Sequence, residues 1–309
     1  MKYIHRKECP LTRRFHMDRK GLRPFRPVNR DVRFLKIKMN EPIDLLQHYL
    51  PSIYDALSSS NKLLSDISSK YYERYKKVES DIKEKGEFIS EKTMFDFWWN
   101  ANEGDQASLA FLKFINNTAT EILQKVKGDP RKQIINLCHK MIINFNDNQS
   151  QFQSFVAELA VISKLLKDDG LTLIQVEKKL PNGKRFDFEV EKDGNKTLVE
   201  VFNINFDFGR MESTEKFQKL LEHRLTKKLN SKLNGLTGTY PPFLLAPVLW
   251  GNILELERFA GAFSYFKEFN QMIYRFTMIA EFKNPDGEYL FMFAHVDEFL
   301  ERARKINKI

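Results

Sequence analysis

Residues 185–206 read RFDFEVEKDGNKTLVEVFNINF, and the pattern of this stretch decides the fold. Alternation over Arg185–Glu191 puts Phe186, Phe188 and Val190 on one face of a strand, and Asp187, Glu189 and Glu191 on the other. Over Thr197–Asn203 the same period groups Leu198, Glu200 and Phe202. Asp193-Gly194 between the two segments is a two-residue hairpin signal, so the strands are expected to pair antiparallel. An acidic face such as that of Asp187 is ordinarily solvated. Glu200 differs, because apolar neighbours flank it on its own face and a carboxylate there needs a counter-charge. An Asp and a Glu on paired strands form a hard oxygen pair of the kind Mg2+ takes; the plainer alternative is two unrelated hairpin acids.

Working outward, Leu171–Lys178 reads as a further strand, joined to the first by the turn Pro181-Asn182-Gly183. Before it, 150–168 reads as a helix with the stripe Phe155, Leu159, Ile162 and Leu166. At about 100° per residue Glu158 falls between Leu165 and Ile162, inside the apolar arc and off the face of Gln153, Lys164 and Lys167. Either it bends out to solvent or a basic side chain, or it belongs to a cation site. Downstream come a helix over Glu215–Leu233 with His223, Arg224, Lys227 and Lys228, then the apolar strand Phe243–Trp250. A second hairpin, YRFTMIAEF and EYLFMFAHV, turns at Asn284–Gly287, and Asp297–Lys308 makes a final amphipathic helix. The expected class is α+β or α/β.

A helix with Glu, a strand with Asp, a short hairpin and a strand with Glu resembles the PD-(D/E)XK nuclease superfamily over about residues 150–250. The resemblance implies a restriction-endonuclease-like domain with a mixed sheet and a metal-dependent endonuclease activity on phosphodiester bonds. It makes Glu158 the helix acid, Asp187 the motif Asp and Glu200 the second acid, together holding Mg2+ or Mn2+. It implies nucleic acid as substrate, with DNA favoured over RNA. The sequence departs from the family at two places. Phe186 stands where the motif has Pro, and Phe202 stands where it has the Lys that positions water and steadies phosphate charge. Two explanations stay open. Another cation takes over the role, with Lys227, Lys228 and Lys184 as candidates, or the domain keeps the fold without cleavage and binds nucleic acid or a protein.

The charge is uneven. Residues 1–38 hold thirteen Lys or Arg against three acids, a net +10, whereas the whole chain is +9; the remaining residues therefore sum to −1. Such an arm suits phosphate backbones, and Arg13, Arg14, Arg19, Lys20, Arg23, Arg26, Arg30 and Arg33 are its candidate contacts. The alternative is a solvated tail. Pro24, Pro27 and the interspersed acids argue against a mitochondrial targeting helix.

The expected organisation is a basic arm over 1–40, a helical domain over 41–149 and a nuclease-like α/β domain over 150–309. In the middle part Asn40 is a candidate cap before Pro42, and Asp129-Pro130 repeats that pattern. Ser60–Glu84 and Asp105–Lys127 carry helical spacing, and the polar 146–150 marks a boundary. The aromatic cluster Phe95–Trp99 is expected in the core, with base stacking as the sharper alternative. A protein partner for the helical region and a homodimer are open assembly states.

Other chemistries find little support. The six histidines lack metal-ligand spacing, Cys9 and Cys138 build neither a disulfide framework nor a zinc site, and there is no glycine-rich phosphate loop. No apolar run reaches the roughly 18–20 residues of a membrane span, so no membrane role is expected. Free thiols and the lack of a signal-peptide core predict an intracellular, cytoplasmic protein.

Overall fold

The computed structural model describes residues 24–25, 41–85, 88–89, 92–145, 149–168, 170–205, 211–236, 242–252, 256, 259–269, 273, 275–284 and 286–306. Every candidate contact of the basic arm, from Arg13 to Arg33, lies outside these residues, as do Cys9 and Asn40. Within the arm's span only β1 (Pro24–Phe25) is described, paired antiparallel with β2 (Phe88–Ile89).

The fold is α+β, with helices followed by a six-stranded mixed sheet. Six helices come first: α1 (Pro42–Tyr49), α2 (Pro51–Leu57), α3 (Asn61–Lys85), α4 (Met94–Asn102), α5 (Gln106–Lys125) and α6 (Gly128–Ile143). Two expected caps are corrected. The N-cap of α1 is Glu41, whose carboxylate accepts from the Tyr72 hydroxyl of α3 at 2.5 Å instead of capping the helix. In α6 the N-cap is Lys127, so Asp129 lies inside the first turn, where an acid favours the helix dipole. Asp105 does cap α5, accepting from the Ser108 amide at 2.9 Å.

Helix α7 (Gln149–Asp168) is the hinge of the architecture. Its buried residues include Phe152, Val156, Ala157, Leu159, Ala160, Val161, Ile162, Leu165 and Leu166, which cover most of its circumference. A helix apolar nearly all round must be covered on several sides, and α7 packs against α5 and α6 as well as β5. Gln153, expected on a solvated face, is therefore buried. One buried cluster runs from Leu45 of α1 through α7 to Val199, Val248 and Ile279 of the sheet, so residues 41–143 share their core with it.

The sheet has the order β3-β4-β5-β6-β7-β8, formed by Thr172–Lys179, Arg185–Lys192, Asn195–Asn205, Phe243–Asn252, Thr277–Lys283 and Tyr289–His295. The β4–β5 hairpin closes at Asp193 and Gly194, with φ of 51° and 80°. Both positions require the left-handed region, which Asp tolerates and Gly adopts freely, and this fixes the register Phe188 opposite Val199. Parallel pairing of β5 with β6 needs a crossover, supplied by α8 (Thr214–Leu233). Ser213 caps α8 by accepting from the Lys216 amide at 3.2 Å. Helix α9 (Ala260–Phe269) precedes β7, which runs parallel to β6, and the β7–β8 hairpin precedes α10 (Val296–Ile306).

Side-chain alternation along β5 then separates two environments. Val199 and Val201 face the α7 side, while Ile204 belongs to the cluster of Phe217, Leu221 and Leu225 from α8. Glu200 shares the parity of Ile204 and points to α8.

Candidate active site

Glu200 is 1% exposed, and two ammonium groups from α8 meet it. Lys228 Nζ lies 2.6 Å from Oε1 and Lys232 Nζ 2.7 Å from Oε2. The second contact is ionic and not a directed hydrogen bond, since Oε2 accepts none. The two lysines are one helical turn apart, so both reach inward from the same face. Lys227, the neighbouring candidate, is exposed, and Lys184 sits exposed in the β3–β4 turn. Of the three candidate cations, Lys228 alone is brought to the acids. Its ammonium also lies 5.8 Å from the centroid of the Phe202 ring, over its face. Phe202 is thus a half-buried platform beneath a lysine that arrives from another element.

Asp187 occupies the place where β4 and β5 part. Their ladder runs from Lys192–Asn195 to Phe188–Val199 and ends there. One residue further along β4, the Asp187 carboxylate takes over from the backbone and Oδ2 accepts from the Val201 amide at 2.7 Å. Burial first, and the Glu200 charge second, push its carboxyl up to about 7; the Val201 bond and the two lysines pull the other way. Glu158 comes from α7, and its carboxyl is raised well above the usual range by burial, then by Asp187, then by Glu200. Among the described residues, no cation stands in ion-pair contact with Glu158 or Asp187.

The remaining acids are spoken for. Register places Glu177 of β3 across from Asp187, between the pairs Val176–Phe188 and Lys178–Phe186. Its φ of 55° turns it out of the regular strand path. Its carboxylate takes Lys140 of α6 at 2.5 Å and Arg185 at 3.1 Å, and the Lys140 bond holds its carboxyl below the usual range. Glu189 is 3% exposed and paired with Lys178 at 3.1 Å. The acidic face of β4, expected in solvent, is therefore largely covered.

Glu177 and Glu200 thus each carry two basic groups, whereas Asp187 and Glu158, whose charges act on each other, carry none. Sequence reasoning missed Lys232 and Glu177. The first had a signal in its spacing of four from Lys228; the second depends on cross-strand register and a backbone turn that no local pattern announces. Among the described residues, no cluster of three or more His, Cys, Asp or Glu side chains has the arrangement of a metal centre. The sheet explains this: Glu158 approaches from α7, whereas Glu200 points to α8.

Phe95 and Trp98 are fully buried, and Phe97 packs on Phe111 and Phe152, so this cluster is core and not a stacking platform. Cys138 is buried, with its thiol pushed up to about 12, and His139 Nε2 lies 3.2 Å from Asp66 Oδ2, burial holding the imidazole below its usual range. Among the described residues, no helix is long and apolar enough to cross a membrane. Comparison with protein-family models, with curated proteins and with solved structures finds no match.

Proposed function

We propose that the sheet half of this chain is a metal-dependent nuclease that hydrolyses phosphodiester bonds in nucleic acid, with DNA the first substrate to test. The observation that carries the reading is Lys228: its ammonium enters from α8 over Phe202 and meets Glu200 beside Asp187. The sequence lacks a lysine at position 202, and the fold supplies one in space. Glu158 and Asp187 supply what a hard cation takes, namely carboxylate oxygens without a basic partner whose charges repel each other. These two would hold Mg2+ or Mn2+, with Glu200 engaged instead by the lysines. Bound there, the ion would supply Lewis-acid polarisation of a phosphoryl oxygen and a more acidic water. Asp187, anchored through Oδ2 by the Val201 amide, would keep Oδ1 for that ion. Lys228, steadied by Glu200 and the Phe202 ring, is placed to stabilise negative charge developing on phosphate.

A second reading is a nuclease-like fold that binds nucleic acid or a protein partner without cleaving. The double engagement of Glu200 favours it, because an ammonium group already faces each oxygen of that acid. One experiment separates the two: incubation of plasmid and single-stranded DNA with Mg2+ or Mn2+, alongside EDTA. The nuclease reading expects metal-dependent cutting that Asp187→Asn abolishes and Lys228→Ala lowers about 10²–10³-fold. Cutting that survives both substitutions, or none under any metal, rejects it.

A further inference from the structure

The β3–β4 hairpin ends in a tip that carries only one sign of charge. Residues 178–186 read KKLPNGKRF, four basic residues with no acid. Lys178 is engaged by Glu189, but Lys179, Lys184 and Arg185 are all exposed. Among the described residues, Lys179 and Lys184 have no ion-pair partner. Arg185 keeps only the exposed contact with Glu177, a kind of pair that contributes little and yields readily to a stronger anion.

The tip is also braced. Asn182 donates from Nδ2 to the backbone carbonyls of Lys232 and Asn234 at 3.0 and 3.1 Å. Lys232 Nζ donates to the Arg185 carbonyl, and Leu180 is buried with Phe186, Leu198 and Phe243 against Leu229 and Leu233 of α8. The helix that carries Lys228 to Glu200 therefore also fixes the hairpin. Arg185 stands two residues before Asp187 on the same strand, about 7 Å away at the strand rise, a spacing comparable to that of neighbouring phosphates on an extended nucleic-acid strand. A merely solvating basic surface would need neither the brace nor the register.

We propose that the β3–β4 tip is a phosphate-binding rim, in which Lys179, Lys184 and Arg185 grip the nucleic-acid backbone beside the phosphate held at Asp187 and Lys228. The proposal rests on the nuclease reading of the site, but its test needs no cleavage. The full chain is titrated with a fluorescein-labelled single-stranded DNA of about 12 nucleotides, in EDTA, across a range of salt. Lys179→Ala/Lys184→Ala/Arg185→Ala is expected to bind about tenfold more weakly, with a salt slope shallower by about 2, since each lost phosphate contact on a single strand removes about 0.7. Lys62→Ala/Lys76→Ala/Lys127→Ala, which removes the same charge from exposed positions in the helical layer, should stay within about twofold of the parent. Equal losses in the two variants, or none in the hairpin variant, would overturn the rim. Because binding is read without metal, a failed rim leaves the cleavage test intact, and a failed cleavage test leaves the rim to be judged on binding.

Discussion

Glu200 and Asp187 lie on neighbouring strands, yet their charges are met in opposite ways. Glu200 sinks to 1% exposure because two ammonium groups on α8 descend onto it. Asp187 keeps one backbone amide and faces Glu158, a second carboxylate without a basic partner. Burial of like charges is costly, so the first corner is stabilised by its ion pairs and the second carries an uncompensated electrostatic cost. An acid in an apolar strand is thus not by itself a metal ligand. Its partners on the adjoining helix decide between ion pair and cation site.

Stripping the ion-paired corner has the largest expected effect. Lys228→Ala/Lys232→Ala leaves a buried carboxylate unpaired and should cost about 3–5 kcal/mol, read as a lower urea midpoint at pH 7. A midpoint within experimental error of the parent would mean that Glu200 reaches solvent and that the corner is not built as described.

Lys228→Ala should lower metal-dependent cleavage about 10²–10³-fold, the usual loss when one charge-stabilising group is removed. Phe202→Lys alone sets a second ammonium against Lys228 and should not raise activity. Combined with Lys228→Ala, it returns a lysine to the strand and should recover part of the loss, measured as initial rates on one oligonucleotide. A double variant as inactive as Lys228→Ala would detach Phe202 from the chemistry.

The smallest effect concerns pH in metal-free buffer. The folded-state carboxyls of Asp187 and Glu158 both lie above their unfolded values, so the folded chain holds those protons more tightly. The resulting stability is full below about pH 4 and is lost as pH rises through about 7 for Asp187. Asp187→Asn keeps an acceptor for the Val201 amide and removes the charge. Urea melts in EDTA should show the variant more stable than the parent by about 1–2 kcal/mol at pH 8, a reduced figure because solvent still reaches part of the site, and little different at pH 4.5. A variant less stable at both pH values would show that the carboxylate is structurally needed.

Much of this was legible in the sequence, for reasons of short range. Period-two alternation and the Asp193-Gly194 turn mark the β4–β5 hairpin, and helical spacing marks α3, α5, α7 and α8, because each signal is written within one element. The site was legible in part. Glu158 and Glu200 stood out as acids in apolar settings and Asp187 only as the partner-strand acid on an acidic face, but which cation each would meet depends on packing between elements. Lys227 and Lys228 are indistinguishable in a sequence; about 100° of helix rotation leaves one in solvent and brings the other to 2.6 Å from Glu200. Glu177 was hidden more deeply, since only register places it opposite Asp187.

Calorimetric titration with Mn2+ reads directly whether the Glu158–Asp187 corner receives a cation. The parent chain should bind Mn2+ at one site, Glu158→Gln and Asp187→Asn should each lose it, and Glu177→Gln, whose carboxylate already carries Lys140 and Arg185, should keep it. Equal Mn2+ binding by the parent, Glu158→Gln and Asp187→Asn, or no binding by the parent, would contradict the account.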